Sequence, residues 1–233
     1  MTTTGTTGSA IARLFEKGAH FAQVRARRHP SMKPFILGAK ARMEIVDLAK
    51  TDVQLEEAKR ILTALARDGK TALFVGGKAE VSAFVRDAAK RAGQPFVDGR
   101  WLGGTISNFA EIKKRIDRLA DLFAKKESGE LAKLYTKLER VKLDREIAKL
   151  TLRLSGITEL AKRPDVMVIV DTKHESHAVK EAKDAKIPVI ALMGSDCNLK
   201  DATYPIVAND ASRETVAYVL GELVDAFLEG KKG

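Results

Sequence analysis

The chain has 233 residues, of which 45% are hydrophobic and 31% charged, with a net charge of +10. That length suits one well-buried domain with an appendage, and the charge favours a polyanionic partner without proving one. A single cysteine, Cys197, excludes an intrachain disulfide and a clustered-thiol zinc site, and no apolar run is long enough to span a bilayer.

The N-terminal MTTTGTTGS lacks the apolar core of a signal peptide. Residues 1–8 read as a flexible tail, and the location is expected to be intracellular. Residues 20–43, HFAQVRARRHPSMKPFILGAKARM, set Arg25, Arg27, Arg28, Lys33, Lys40 and Arg42 around His29 and two phenylalanines, with no acid among them. Pro30 and Pro34 disfavour a regular helix. An extended basic segment of this kind can follow a phosphate backbone. The alternative is a solvated basic loop.

MEIVDL at 43–48 predicts a strand. Thr51 and Gln54 have capping-box spacing, and Leu55, Ala58, Leu62 and Leu65 continue a helix that ends near Gly69. TALFV at 71–75 predicts a strand buried on both faces. A helix over 80–91 and a strand at 95–97 follow. Beyond the next segment come strands at 165–171, 188–193 and 204–207, a helix over 174–184, and a last helix over 211–228 capped by Asn209 or Asp210. This alternation predicts a mostly parallel sheet with helices on both faces.

VDGRWLGGTISNF, at 97–109, joins a strand to a long charged stretch. Gly103 and Gly104 are expected to turn the chain sharply. Trp101 is expected to pack under the turn, and Thr105 or Ser107 to cap the next helix. Arg100 is the residue of this corner placed to meet a phosphate or an internal acid. From 112 to 154 no strand signal occurs. Ile112, Ile116, Leu119 and Phe123 step by helical spacing, as do Leu131, Leu134, Leu138 and Val141. After a phase slip Leu143, Ile147, Leu150 and Leu154 continue. Ser128-Gly129 divides the sets, so a helical hairpin with a narrow apolar seam is expected. It adds little core to the main domain and reads either as a solvated pair or as a platform for a partner.

Charge is uneven along the chain. Residues 1–50 and 113–153 each carry +6, residues 51–112 carry +1, and residues 154–233 carry −3. Particular faces therefore meet the polyanion. Sites for chemistry are sparse. Gly69-Lys70-Thr71 lacks the upstream glycine of a phosphate loop, and Gly76-Gly77-Lys78 matches neither nucleotide fingerprint. Asp171, Asp196 and Asp210 fall near strand ends, where open α/β sheets bind ligands. Turn and cap roles suit them better. His174 and His177 complete no metal set, and no nucleophile elbow is present. No metal, cofactor or small-molecule substrate is expected. A Rossmann-like nucleotide-binding phosphotransferase using Gly76-Gly77-Lys78 and Asp171 is the rival reading.

GAHF at 18–21, HPSMKPFILGAK at 29–40, IVDLAKT at 45–51, LFVGGK at 73–78 and RWLGGTISNF at 100–109 accumulate with the long motif at 164–192 and ANDASRETV at 208–216. Together they resemble the second protein of the bacterial-type small ribosomal subunit, the ribosomal protein S-two family. The resemblance is collinear from about residue 9 to 228. It implies a flavodoxin-like three-layer α/β/α domain with an inserted coiled-coil helical hairpin. On that basis 9–111 and 155–228 form one discontinuous α/β domain, 112–154 the protruding hairpin, and 229–233 a tail. It also implies a non-enzymatic role on the cytoplasmic ribosome, with 16S ribosomal RNA and neighbouring small-subunit proteins as partners, including the large first protein that recruits messenger RNA. The chain departs from the family pattern at Ala22-Gln23, where Gly-His is usual, and at Arg28-His29, where Trp-Asn is usual.

Overall fold

Every residue of Ala72–Val75, Val166–Val170 and Val189–Met193 is buried. These runs, with Phe96–Val97 and Tyr204–Val207, form a parallel five-stranded sheet in the computed structural model, which describes residues 4–232. In chain order the elements are α1 (Thr4–Glu16), β1 (Phe21–Val24), β2 (Ile36–Lys40), β3 (Met43–Val46), α2 (Leu48–Arg67), β4 (Ala72–Val75), α3 (Ser82–Ala92) and β5 (Phe96–Val97). Then come α4 (Phe109–Glu127), α5 (Glu130–Leu134), α6 (Lys137–Leu154), β6 (Val166–Val170), α7 (Ser176–Asp184), β7 (Val189–Met193), β8 (Tyr204–Val207) and α8 (Arg213–Lys232). The sheet order β5-β4-β6-β7-β8 is that of a flavodoxin-type doubly wound sheet, whose order reverses between β4 and β6.

Side chains alternate across the sheet, so each strand feeds two cores. Phe74, Val168, Ile190 and Ile206 meet Leu55 and Leu62 of α2, Val85 of α3 and Val219 of α8 on one face. Leu73, Met167, Ala191 and Val207 meet Ile112, Leu119, Ile147 and Val179 on the other. That is a three-layer arrangement. The seam of α4 and α6 belongs to the second core, which corrects the expectation that this insertion adds little to it.

The helices begin and end differently from the sequence reading. α1 starts at Thr4 and α8 runs to Lys232, so the expected tails 1–8 and 229–233 overlap helices; residues 1–3 and 233 lie outside the described residues. Asp47, not Thr51, caps α2. The Thr51 hydroxyl donates to the Val207 carbonyl at 2.7 Å, and Gln54 Oε1 accepts the Val207 N–H at 3.0 Å. The pair that mimicked a capping box therefore ties α2 to β8. Ser212, not Asn209 or Asp210, accepts the Thr215 N–H at the start of α8.

In the insertion, Leu122 is buried and Phe123 is exposed, so the seam runs one residue off the expected step. Leu134, Leu138 and Val141 face solvent. The second arm breaks at Tyr135, and α6 restarts with a capping box between Thr136 and Glu139. That restart explains the phase slip. Two ion pairs, Arg118–Glu146 at 3.5 Å and Lys126–Asp144 at 2.6 Å, cross between α4 and α6.

The N-terminal basic segment is more ordered than its prolines suggest. β1, β3 and β2 form an antiparallel sheet in that order, with 3-10 turns over Arg25–Arg27 and Pro30–Phe35. β3 is the strand expected at 43–48, whereas β1 and β2, short and exposed at half or more of their positions, leave little apolar periodicity for sequence reading to detect.

Candidate nucleic-acid interface

All strands of the main sheet end on one edge, where the loops after β4, β6, β7 and β8 converge. Folds of this type bind ligands at this edge, at the β4/β6 reversal. Here the edge is filled from within. The Gly77 N–H donates to Glu175 Oε1 at 2.9 Å, and a Cβ on Gly77 would lie 2.5 Å from the Gly99 carbonyl oxygen. The Lys78 ammonium is ion-paired with Asp171. Burial works against its charge, but the Asp171 carboxylate and the nearby Asp210 and Asp196 raise its pKa overall. The two donors that a phosphate would need are thus both occupied by carboxylates of the chain.

Asp171 follows β6 with φ of 63°, a left-handed conformation in which aspartate is tolerated when its side chain bonds locally. Its Oδ1 accepts the N–H groups of Lys173 and His174, each at 3.0 Å. Burial would raise its pKa; the Lys78 and His174 bonds outweigh that and lower it. Asp210, beside it, is only 3% exposed and its Oδ2 has no hydrogen-bond partner. Burial first, and then the Asp171 charge, push its carboxyl up to about 6. Among the described residues, Asp171, Cys197 and Asp210 place one ligand atom each within 4.8 Å of one another, a set that could hold a metal ion. Burial and the two aspartates push the Cys197 thiol up to about 12, so it stays protonated at neutral pH, and Lys78 supplies the cation that Asp171 faces. Asp196 pairs instead with Lys173 at 2.8 Å.

The N-terminal sheet closes over this edge. The Gln23 N–H donates to Ser195 Oγ at 3.0 Å and the His29 N–H to the Ser195 carbonyl at 2.9 Å. The Leu199 N–H donates to Ser31 Oγ at 3.0 Å, and the Asn209 N–H to the Ala19 carbonyl at 3.0 Å. The N-terminal segment therefore covers the loops after β7 and β8. Gln23 makes this contact through its main chain, which any residue could supply.

The cations of the same segment divide into two groups. Arg28 Nη1 bonds Glu44 Oε1 at 2.6 Å, and the two side chains are 17% and 4% exposed. Arg28, expected among the phosphate contacts, is thus paired internally: Glu44, a buried residue of β3, needs its charge. His29 also serves the fold. Its Nδ1 lies 2.8 Å from Ser31 Oγ and accepts the Ser31 N–H at 3.3 Å, capping the 3-10 turn. By contrast Arg25, Arg27, Lys33, Lys40 and Arg42 are exposed, and none has an ion-pair partner among the described residues. Ala41 and Arg42, with φ of 50° and 70°, make the two-residue turn between β2 and β3. Two positive φ values are what such hairpins need, and residues other than Gly, Asn or Asp are strained there.

The RWLGG corner is held by one carboxylate that sequence reading passed over. Glu181 of α7 accepts the Gly104 N–H at 2.7 Å, the Ile106 N–H at 2.9 Å, the Ser107 N–H at 3.1 Å and the Trp101 indole N–H at 3.1 Å. Trp101 is buried. Gly104 has φ of +91°, whereas Gly103 has neither a positive φ nor any atom within 4 Å of a built Cβ. Thr105 bonds back to Leu102 and Ser107 to Glu181, and Asn108 precedes α4 without a side-chain cap. The expected Thr105 or Ser107 cap is therefore absent, because both hydroxyls have partners in the corner. Arg100 is exposed and has no ion-pair partner among the described residues. No helix among the described residues is long and apolar enough to cross a membrane.

The self-neutralised sheet edge thus lies under a segment whose exposed cations Arg25, Arg27, Lys33, Lys40 and Arg42 have no ion-pair partner among the described residues. A family model described as Ribosomal protein S2 matches residues 14–230. The small ribosomal subunit protein uS2 of Coprothermobacter proteolyticus is 39% identical over 96% of this chain and 83% of its own length. That of Dictyoglomus thermophilum is 41% identical over 95% of this chain and 89% of its own. The uS2c protein of Rhodomonas salina is 38% identical over 96% and 91%. With these matches spanning both the sheet and the helical insertion, the chain belongs to the ribosomal protein S2 family.

Proposed function

We propose that this chain is a structural constituent of the small ribosomal subunit that binds 16S ribosomal RNA and neighbouring small-subunit proteins, the large first protein among them, on cytoplasmic ribosomes. The observation that carries this reading is family membership over nearly the whole chain. The unpaired cations Arg25, Arg27, Lys33, Lys40 and Arg42 form its primary RNA contact, and the strained Ala41-Arg42 turn presents two of them at a hairpin tip. α4–α6 act as a protruding hairpin with coiled-coil packing along Ile112, Ile116, Leu119 and Ile147, on a discontinuous α/β domain. The chain has no catalytic role: Gly77 and Lys78, on which a phosphotransferase would depend, serve Glu175 and Asp171.

The test is competitive incorporation of tagged protein into small subunits, read by sedimentation. The parent chain enters the small-subunit fraction at physiological salt. Arg25→Ala/Arg27→Ala/Arg42→Ala is depleted at least severalfold with unchanged circular dichroism. A parent chain that stays out of the subunit overturns the reading. A rise of several degrees in Tm with millimolar ATP, GTP or NAD would restore the nucleotide-binding alternative.

A further inference from the structure

We propose that a second surface, a basic trough at the base of the helical insertion, seats the sugar-phosphate backbone of an RNA strand. The proposal rests on the reading of the chain as a small-subunit constituent, and adds a surface to which no residue of the N-terminal segment contributes.

The trough consists of two cavities that share Arg153, in the last turn of α6. One, of about 920 Å³, lies beside the edge strand β5, between α3 and the chain that leaves α6. The other, of about 300 Å³, lies between α4 and α6. Lys90 and Arg100 line the first, and Arg115 and Lys149 the second. With Arg153 they are all exposed, and none has an ion-pair partner among the described residues.

The acids nearby do not neutralise them. Asp98 is held by Arg86 at 2.5 Å and Glu146 by Arg118 at 3.5 Å. Glu159 is the carboxylate of the trough that has no cation of its own among the described residues. In the wall of the larger cavity the Thr151 hydroxyl oxygen is buried without a hydrogen-bond partner. Leu152, 78% exposed, is the large apolar side chain that stands out there.

This composition selects the partner. A protein interface needs an apolar centre with a polar rim; of the leucines lining the trough only Leu152 is exposed, and one exposed leucine does not make a centre. Nucleic-acid interfaces are polar and strongly positive, and single strands combine a cationic groove with planar groups on which bases stack. Arg100 and Arg153 supply both charge and a flat guanidinium. At the trough floor a Cβ on Gly156 would lie 2.2 Å from the Phe96 carbonyl oxygen, so the chain leaving α6 is pressed onto β5.

Two measurements on the full chain decide it. The first is binding to protein-free small-subunit RNA across a salt series, comparing the parent with Arg100→Gln/Lys149→Gln/Arg153→Gln. Each phosphate contact contributes roughly 0.7–0.9 to the slope of log affinity against log salt, so the variant should be shallower by about 2 with unchanged melting. The second is Leu152→Cys carrying a tethered hydroxyl-radical source in reconstituted subunits, with Val53→Cys on the exposed face of α2 as control. Cys197 is buried, so the new thiol is the one labelled. RNA scission confined to a few nucleotides, and absent from the control, is the expected result. An unchanged slope together with normal incorporation and no scission overturns the trough while leaving the ribosomal reading intact. Radical damage to a neighbouring protein in place of RNA assigns the trough to a protein partner and also overturns it. If the parent chain does not enter subunits, the ribosomal reading fails, and the salt slope alone still decides whether these cations contact RNA.

Discussion

The Glu181 carboxylate and the Trp101 indole, 3.1 Å apart, join α7 to the corner that launches α4. Burial opposes ionisation of Glu181, but the N–H groups of Ile106 and Gly104, the indole and the Ser107 N–H outweigh it and hold its pKa below the ordinary value. One side chain thus fixes the direction in which the helical insertion leaves the domain. Glu181→Ala should lower stability by about 3 kcal/mol or more, since several N–H donors lose a charged acceptor at once. Denaturant unfolding measures it, and the loss should be smaller below pH 4. A carboxyl with a lowered folded pKa contributes its stability above its unfolded pKa and loses it as pH falls through the folded one.

Gly103 and Gly104 should respond differently to the same change. Gly104→Val forces a β-branched residue to φ of +91° and should cost about 2 kcal/mol or more. Gly103→Val has open space around its Cβ and should change stability by less than about 0.5 kcal/mol. Equal melting temperatures for the two variants would show that the corner relaxes.

Arg28 and its neighbours should separate folding from attachment. Arg28→Ala leaves Glu44 buried and unpaired, and should destabilise the chain by about 3 kcal/mol. Arg25→Ala and Arg27→Ala should leave Tm within about 2 °C of the parent, because both side chains are exposed and unpaired. Their effect should appear instead as weaker incorporation into small subunits. Thermal melting beside incorporation, variant by variant, checks the division.

Asp210 should make the sheet edge less stable at neutral and alkaline pH than in mild acid. Its folded pKa, near 6, lies above the ordinary 3.8. The folded chain therefore binds the extra proton, and stability falls as pH rises from about 4 through 6. Asp210→Asn removes that dependence. It should be more stable than the parent by about 1–2 kcal/mol at pH 8, less than full linkage because Lys78 and Asp171 readjust, and the gain should vanish near pH 4. A variant less stable than the parent at pH 8 would show that the ionised carboxylate is needed beside Lys78.

The sequence by itself determined the parallel sheet. Strands buried on both faces must be apolar throughout, and TALFV, VMVIV and VIALM say so without reference to anything distant. It also marked Gly69, left-handed just after α2, because that conformation depends on one residue. The long basic insertion and the collinear motifs carried the family for the same local reason. Tertiary structure alone decided what each polar side chain does. Arg25, Arg27 and Arg28 are alike in sequence, and only the arrival of Glu44 from β3 makes the third an internal ion pair. Thr51 and Gln54 have the spacing of a cap, and only the approach of Val207 turns them into a bridge. Glu181 has no local signature, since its donors lie more than seventy residues away in the chain. A hydrophobic strand carries its instruction in its own surface, whereas a charge acquires its role from whichever opposite charge or donor the fold brings within about 3 Å.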